Sequence, residues 1–417
     1  MKKQVVIIFL TAAFLVFGIF ACFMFDIFAS SPMVPGVNLV GFQKSDWNAD
    51  ASILFIGKYY GIYKSTDHGK STSLGYTIPT GVNHPLFIPD GLVWTVFIPK
   101  RVSGEKTDTL FVSVSGTGKL YRFTNITSAT PTVDVVLDLG TQKDAGIVAM
   151  TEDSAGNLYA GEYHLPWTDQ QANVYKSTNR GKTWPLLHNF KTGHIHFVKV
   201  NPYNNWLYVV CGESGDYDGN TDASSVFRSK DGTDNFVRVF NGINYFGHGT
   251  ELTHDGITFL NNDVYLGEDG DFKKLPIWKF TDTGSGEPFT ITSVFTPPTD
   301  NALFDDASTL NGTLFFTSEA DCGTSRPECS GNDAITTQAV SSTDGKNWTV
   351  INSTSTTKPL SYWLSWQTSH PERYNRVFYA LSNATGYYID YTDTGSVFWQ
   401  WHLRFLKWWH IQFYPDK

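Results

Sequence analysis

From about residue 37 onward, apolar and polar residues alternate in runs of five to eight, separated by clusters of Gly, Asn, Asp and Ser. That is the pattern of short, half-buried strands joined by turns. The runs fall into groups of four. The clearest group predicts strands at Gly146–Thr151, Asn157–His164, Asn173–Ser177 and Pro185–Phe190. An earlier group takes Val37–Phe42, Ser52–Tyr60, Gly61–Ser65 and Leu74–Ile78. A late one takes Tyr362–Gln367, Arg376–Leu381, Tyr387–Thr392 and Val397–Trp401. Similar groups start near residues 92, 194, 250 and 301. One stretch breaks the rule. Val5 to Phe25 carries no charge over 21 residues, long enough for a helix that crosses a bilayer.

A turn recurs between the third and fourth run of each group. It reads Lys64-Ser65-Thr66-Asp67-His68-Gly69-Lys70, then Lys176-Ser177-Thr178-Asn179-Arg180-Gly181-Lys182-Thr183-Trp184. Shorter copies are Arg228-Ser229-Lys230-Asp231-Gly232 and Ser342-Thr343-Asp344-Gly345-Lys346-Asn347-Trp348. Thr281-Asp282-Thr283-Gly284 matches Thr392-Asp393-Thr394-Gly395, and Arg122-Phe123-Thr124-Asn125 is a degenerate copy. The Asp or Asn falls at 67, 125, 179, 231, 282, 344 and 393, at intervals of 49 to 62 residues. A period near fifty over most of a chain marks a repeat architecture. Ser and Asp side chains close such a turn on the backbone, and Gly supplies a positive φ.

These turns resemble the Asp-box (BNR) repeat of sialidase-like β-propellers, over roughly residues 50 to 405. The resemblance implies an all-β fold: a single propeller over 32–417, expected to have seven blades of four antiparallel strands, with six or eight as alternatives. It also implies that the boxes are structural. It does not carry the sialidase site over. That family grips its substrate's carboxylate with three arginines and has an Arg-Ile-Pro motif, whereas Phe97-Ile98-Pro99 lacks the Arg.

Lys2 and Lys3 before the apolar stretch, and Asp26 after it, put the N-terminus inside and the rest outside. Residues 1–31 therefore read as a signal anchor through residues 5–25, or as a signal peptide cleaved near Ala29-Ser30-Ser31. Both readings place the bulk outside the cytoplasm. A disulfide between Cys322 and Cys329 would suit that compartment, as would sequons at Asn125, Asn311, Asn347, Asn352 and Asn383. The net charge of -9, with no basic run, argues against a nucleic-acid partner.

Candidate chemistry comes from one repeated slot. The second strands end in Gly161-Glu162-Tyr163-His164, Gly212-Glu213, Gly267-Glu268 and Ser318-Glu319. The first strands begin near His194, His196 and His248, with Asp305 and Asp306 in a later group. In propellers these ends share one face. Glu162, His164, Glu213, Glu268 and Glu319 are candidate acid–base groups. His194, His196 and His248 are candidate ligands of a divalent metal ion. The competing reading makes the Glu residues struts between blades. His84, His254 and His370 read as ordinary loop or surface residues. The function expected is an extracellular propeller that acts on or binds carbohydrate, as a hydrolase or lyase. The alternative is a non-catalytic surface protein that binds a glycan, a cell-envelope component or another protein.

Overall fold

The structure is a computed structural model. It describes residues 34–38 and 42–390, less 59, 68–70, 79–92, 116, 141–144, 165–170, 213–221, 242–252, 270–275, 287–289, 299–302, 320–334, 357–365, 368, 374–375 and 382–384. The chain opens with β1 (Val34–Asn38). Six blades follow, each of four consecutive strands. Blade one is β2 (Phe42–Trp47), β3 (Leu54–Lys58), β4 (Gly61–Ser65) and β5 (Ser73–Thr77). Blade two is β6 (Val93–Phe97), β7 (Thr109–Val114), β8 (Lys119–Thr124) and β9 (Thr132–Asp138). Blade three is β10 (Gly146–Glu152), β11 (Leu158–Tyr163), β12 (Ala172–Ser177) and β13 (Leu186–Phe190). Blade four is β14 (Ile195–Val200), β15 (Leu207–Cys211), β16 (Ser225–Ser229) and β17 (Val237–Asn241). Blade five is β18 (Thr253–Leu260), β19 (Asp263–Asp269), β20 (Ile277–Thr281) and β21 (Thr292–Phe295). Blade six is β22 (Leu303–Leu310), β23 (Thr313–Glu319), β24 (Ile335–Ser342) and β25 (Thr349–Thr356). The described chain ends with β26 (Trp366–Gln367), β27 (Arg376–Leu381) and β28 (Thr385–Asp390).

Every pairing is antiparallel, and the first strands of successive blades touch, so they line the axis of a β-propeller. The expectation of seven contiguous blades needs correcting: six blades are runs of four consecutive strands. The ring closes through a further sheet ordered β1-β28-β27-β26, in which β26 touches β2 and β22. Its outer strand comes from the opposite end of the chain, where Val397–Trp401 was expected. Val37–Phe42 was likewise expected as the innermost strand of blade one, a place taken by β2. The physical gain is closure. A ring whose last sheet joins the first described strand to the last three cannot open without breaking a ladder of backbone hydrogen bonds.

The recurrent turns join the third and fourth strands, where the sequence puts them. Ser177 Oγ accepts from Gly181 N at 2.8 Å and lies 3.0 Å from Asn179 Oδ1, which in turn accepts from Thr183 N at 3.0 Å. Ser342, Asp344 and Gly345 repeat this, with Gly345 N to Ser342 Oγ at 2.9 Å. Asp67 does the same with Ser65 and Ser71. These hydrogen bonds, first the one from the Ser71 hydroxyl, hold the Asp67 carboxyl down at about 2.

The turn glycines also fix the blade spacing. Gly181, Gly232 and Gly345 have φ of 73°, 63° and 66°, which an L side chain rarely adopts. Each lies against an aromatic ring of the preceding blade: Phe111, Tyr159 and Tyr265. Those rings belong to a pair repeated on every second strand: Leu54-Phe55, Leu110-Phe111, Leu158-Tyr159, Leu207-Tyr208, Val264-Tyr265 and Leu314-Phe315. All twelve residues are buried. In blade four, Tyr208 donates to the turn carboxylate Asp282 of blade five at 2.8 Å.

The helix expected over 5–25 and the Cys322–Cys329 pair lie outside the described residues. Among the described residues no helix is long and apolar enough to cross a membrane. His370, read as an ordinary surface residue, is buried: its Nδ1 lies 2.8 Å from the fully buried Asp46 Oδ2. Asp46 also accepts from Ile98 N at 2.7 Å, and Arg373 donates to the carbonyls of Trp47 and Ile98. This network locks blades one and two to the closing segment.

Candidate functional site

Glu162 and His164 project from the same side of the end of β11, two residues apart. Both are buried, at 2% and 6% exposure, and His164 Nε2 lies 2.9 Å from Glu162 Oε1. That is ion-pair distance without the alignment of a full hydrogen bond, since His164 Nε2 makes none among the described residues. Tyr175 on β12 donates its hydroxyl to Glu162 Oε2 at 3.1 Å. Burial first, then the Glu162 charge, push the Tyr175 phenol well above its ordinary range. Leu158 and Ala160, on the Glu162 face of β11, pack with Phe97 and Phe111. Glu162 therefore sits at the seam between blades two and three.

Tyr163 points the other way, toward blade four, where it bridges to His194. His194 and His196 stack at 4.6 Å between ring centres, and the Tyr163 ring lies 4.4 Å from His194 and 6.3 Å from His196. His194 Nε2 and His196 Nε2 are 2.7 Å apart. One nitrogen donates and the other accepts, so the two rings cannot both be fully protonated in this arrangement. Gly212 makes the arrangement possible. A Cβ there would lie 2.1 Å from His194 Nε2 and 2.6 Å from His196 Nε2.

Glu268 repeats the Glu162 pattern two blades on. It is 2% exposed and accepts from Trp278 Nε1 on β20 at 2.5 Å. Val264 and Leu266, on its face of β19, pack with Tyr208 and Val210 of blade four. Burial pushes the Glu268 carboxyl up to about 7, against the Trp278 hydrogen bond that lowers it. Glu319 ends β23 one residue past the equivalent position, which Ser318 holds: Ser318 pairs with Phe304 as Glu162 pairs with Ile147 and Glu268 with His254. Glu213 and His248 lie outside the described residues. The structure thus brings together Glu162 with His164, and His194 with His196, on either side of one strand end. It sets Glu268 apart, at the seam between blades four and five. Among the described residues no group of three His, Cys, Asp or Glu side chains could hold a metal ion.

A second polar cluster was read only in part from the sequence: Asp306 was named, but Lys44 and Lys199 were not, because the members come from blades far apart in the chain. Lys44 of blade one lies 3.2 Å from Asp306 Oδ2 of blade six, and its ammonium sits over the Phe197 ring of blade four. Lys199 of blade four donates to the Ala307 carbonyl of blade six. Burial, opposed by Asp306 and Glu372 and aided by Lys44, pulls the Lys199 amine down to about 8. The signal for these side chains was their place on first strands, two residues apart from an apolar neighbour.

No protein-family model and no curated protein matches the sequence. Solved structures do. An ancestral GH74 enzyme superposes with a TM-score of 0.53 at 13% identity, over 88% of this chain and 46% of the enzyme. The extracellular domain assigned to a hybrid two component system of B. thetaiotaomicron gives 0.54 at 11%, over 86% and 39%. The likeness is one of fold. A chain of the mitotic checkpoint complex gives 0.50 at 9%, over 87% and 92%, which shows how many roles the architecture serves. This chain spans less than half of the first two structures.

Proposed function

We propose that this chain is an extracytoplasmic Asp-box β-propeller, anchored through residues 5–25, that binds carbohydrate of the cell envelope or its surroundings. The binding end is the one formed by Glu162, His164, His194 and His196; Glu213, Glu268, Glu319 and His248 are proposed to extend it. The observation that carries the reading is the packing of an imidazole pair on Tyr163 beside a buried Glu–His pair. Stacked rings and fixed hydrogen-bonding groups at one strand end suit a hydroxylated ring. The fold likeness to an extracellular domain and to a GH74 enzyme supports it. Sialidase action is not proposed, for want of its arginines.

Binding is favoured over hydrolysis because Glu162 and Glu268 each already take a hydrogen bond from an aromatic side chain of their own blade. One observation favours catalysis as a second reading. A carboxyl held at about 7 is half protonated near neutrality, as a general acid requires. The test is a glycan array probed with the full chain, followed by assay of each ligand for new reducing ends. Binding without cleavage is the expected result. Cleavage abolished by Glu268→Gln would establish the second reading instead.

A further inference from the structure

A cleft of about 440 Å³ opens between blades two and three, at the outer side of the ring. Its floor is the β7–β8 pair, where Thr109 faces Thr124 and Phe111 faces Arg122. Its wall is the recurrent turn of blade three, with Arg180 and Lys182, and its rim carries Glu105 and Lys106. Four cations and one carboxylate therefore line it, in a chain whose net charge is -9.

The cations are not equally engaged. Arg180 is tied down: its Nε lies 3.2 Å from Glu105 Oε1, and its other nitrogens donate to the carbonyls of Gly156 and Lys100. That uses up the one carboxylate. Arg122 is different. Its side chain is 15% exposed, and Asp134, 54% exposed, stands 3.9 Å from its Nη1. Arg122 Nε is enclosed and makes no hydrogen bond among the described residues. A buried guanidinium donor without an acceptor is costly. Lys106 and Lys182 are exposed at the mouth.

We infer that this cleft binds an acidic sugar, a ring bearing a carboxylate or a sulfate ester, with the oxyanion on Arg122. A planar guanidinium fork suits either oxyanion. Thr109 and Thr124 offer hydroxyls to the ring, while Lys106 and Lys182 draw the anion in. The volume suits one or two sugar rings. Among the described residues that line the cleft none is aromatic, and the Phe111 ring in its floor is fully buried, so charge rather than stacking must hold a sugar there. The site is independent of the strand-end site proposed above.

Calorimetry on the full chain tests it, with digalacturonate as the carboxylate probe, a sulfated galactose disaccharide without a carboxylate as the sulfate probe and cellobiose as the neutral one. One acidic probe should bind, more weakly as salt rises, and cellobiose should not bind. Arg122→Gln should weaken binding about tenfold, and Lys182→Ala several-fold. Which acidic probe binds decides between carboxylate and sulfate. Lys182 is exposed, so its variant carries the test if Arg122→Gln fails to fold. Failure of both acidic probes, or acidic binding untouched by the variants, would overturn the inference. So would equal binding of cellobiose.

Discussion

Ser177 shows how much one hydroxyl does in this chain. It is fully buried, and its oxygen accepts from Gly181 N. Ser177→Ala leaves that amide without a partner, and urea unfolding should show a loss of about 1–3 kcal/mol. Glu268 makes the opposite case, a residue that weakens the fold. Its folded pKa of about 7 lies above the unfolded value near 4.5. The folded state then holds the proton more tightly, and stability falls as pH rises between those values. The loss is roughly 3 kcal/mol when complete. Glu268→Gln keeps an acceptor for Trp278 and removes the slope, so it should be more stable than the parent at pH 8 and no more stable at pH 4. A parent whose stability is flat over this window would contradict that.

Among the strands, the turns were legible in the sequence, because each is local, and so was the slot shared by Glu162 and Glu268; Glu319, read into the same slot, falls one residue past it. Ser-x-Asp at a turn and alternation along a strand declare themselves within ten residues. The partners of the slot were not. Tyr175 and Trp278 close over Glu162 and Glu268 from the third strand, and only the register of β11 with β12 and of β19 with β20 reveals it. The Leu–aromatic pair on each second strand was readable in principle, yet its role was not. Phe111, Tyr159 and Tyr265 matter because a glycine from the next blade lies on them. Gly345→Ala would place a methyl 1.9 Å from the Tyr265 hydroxyl, on backbone at a φ of 66°. Strain and clash together should lower the melting temperature by several degrees. An unchanged melting point would show that the contact is slack.

For the whole ring, closure was the feature least legible. Seven turns suggested seven contiguous blades, but nothing local in Val34–Asn38 says that it pairs with Tyr387 and Tyr388 some 350 residues away. Replacing Val34–Asn38 by a Gly/Ser linker should leave blades one to six paired, and should lower the melting point through the loss of that outer strand. Ring geometry also explains why Lys44, Lys199 and Asp306 meet: only a closed circle brings blades one, four and six to a common axis. The strand-end site is likewise a product of neighbouring blades, since Tyr163 of blade three seats His194 and His196 of blade four. The most direct test of its role is the glycan array read in parallel with the full chain and its His196→Ala variant. Ligands should bind the parent and be lost from the variant, apart from acidic ones held by Arg122. Ligands retained by the variant, or a parent that binds no glycan at all, would contradict the proposed function.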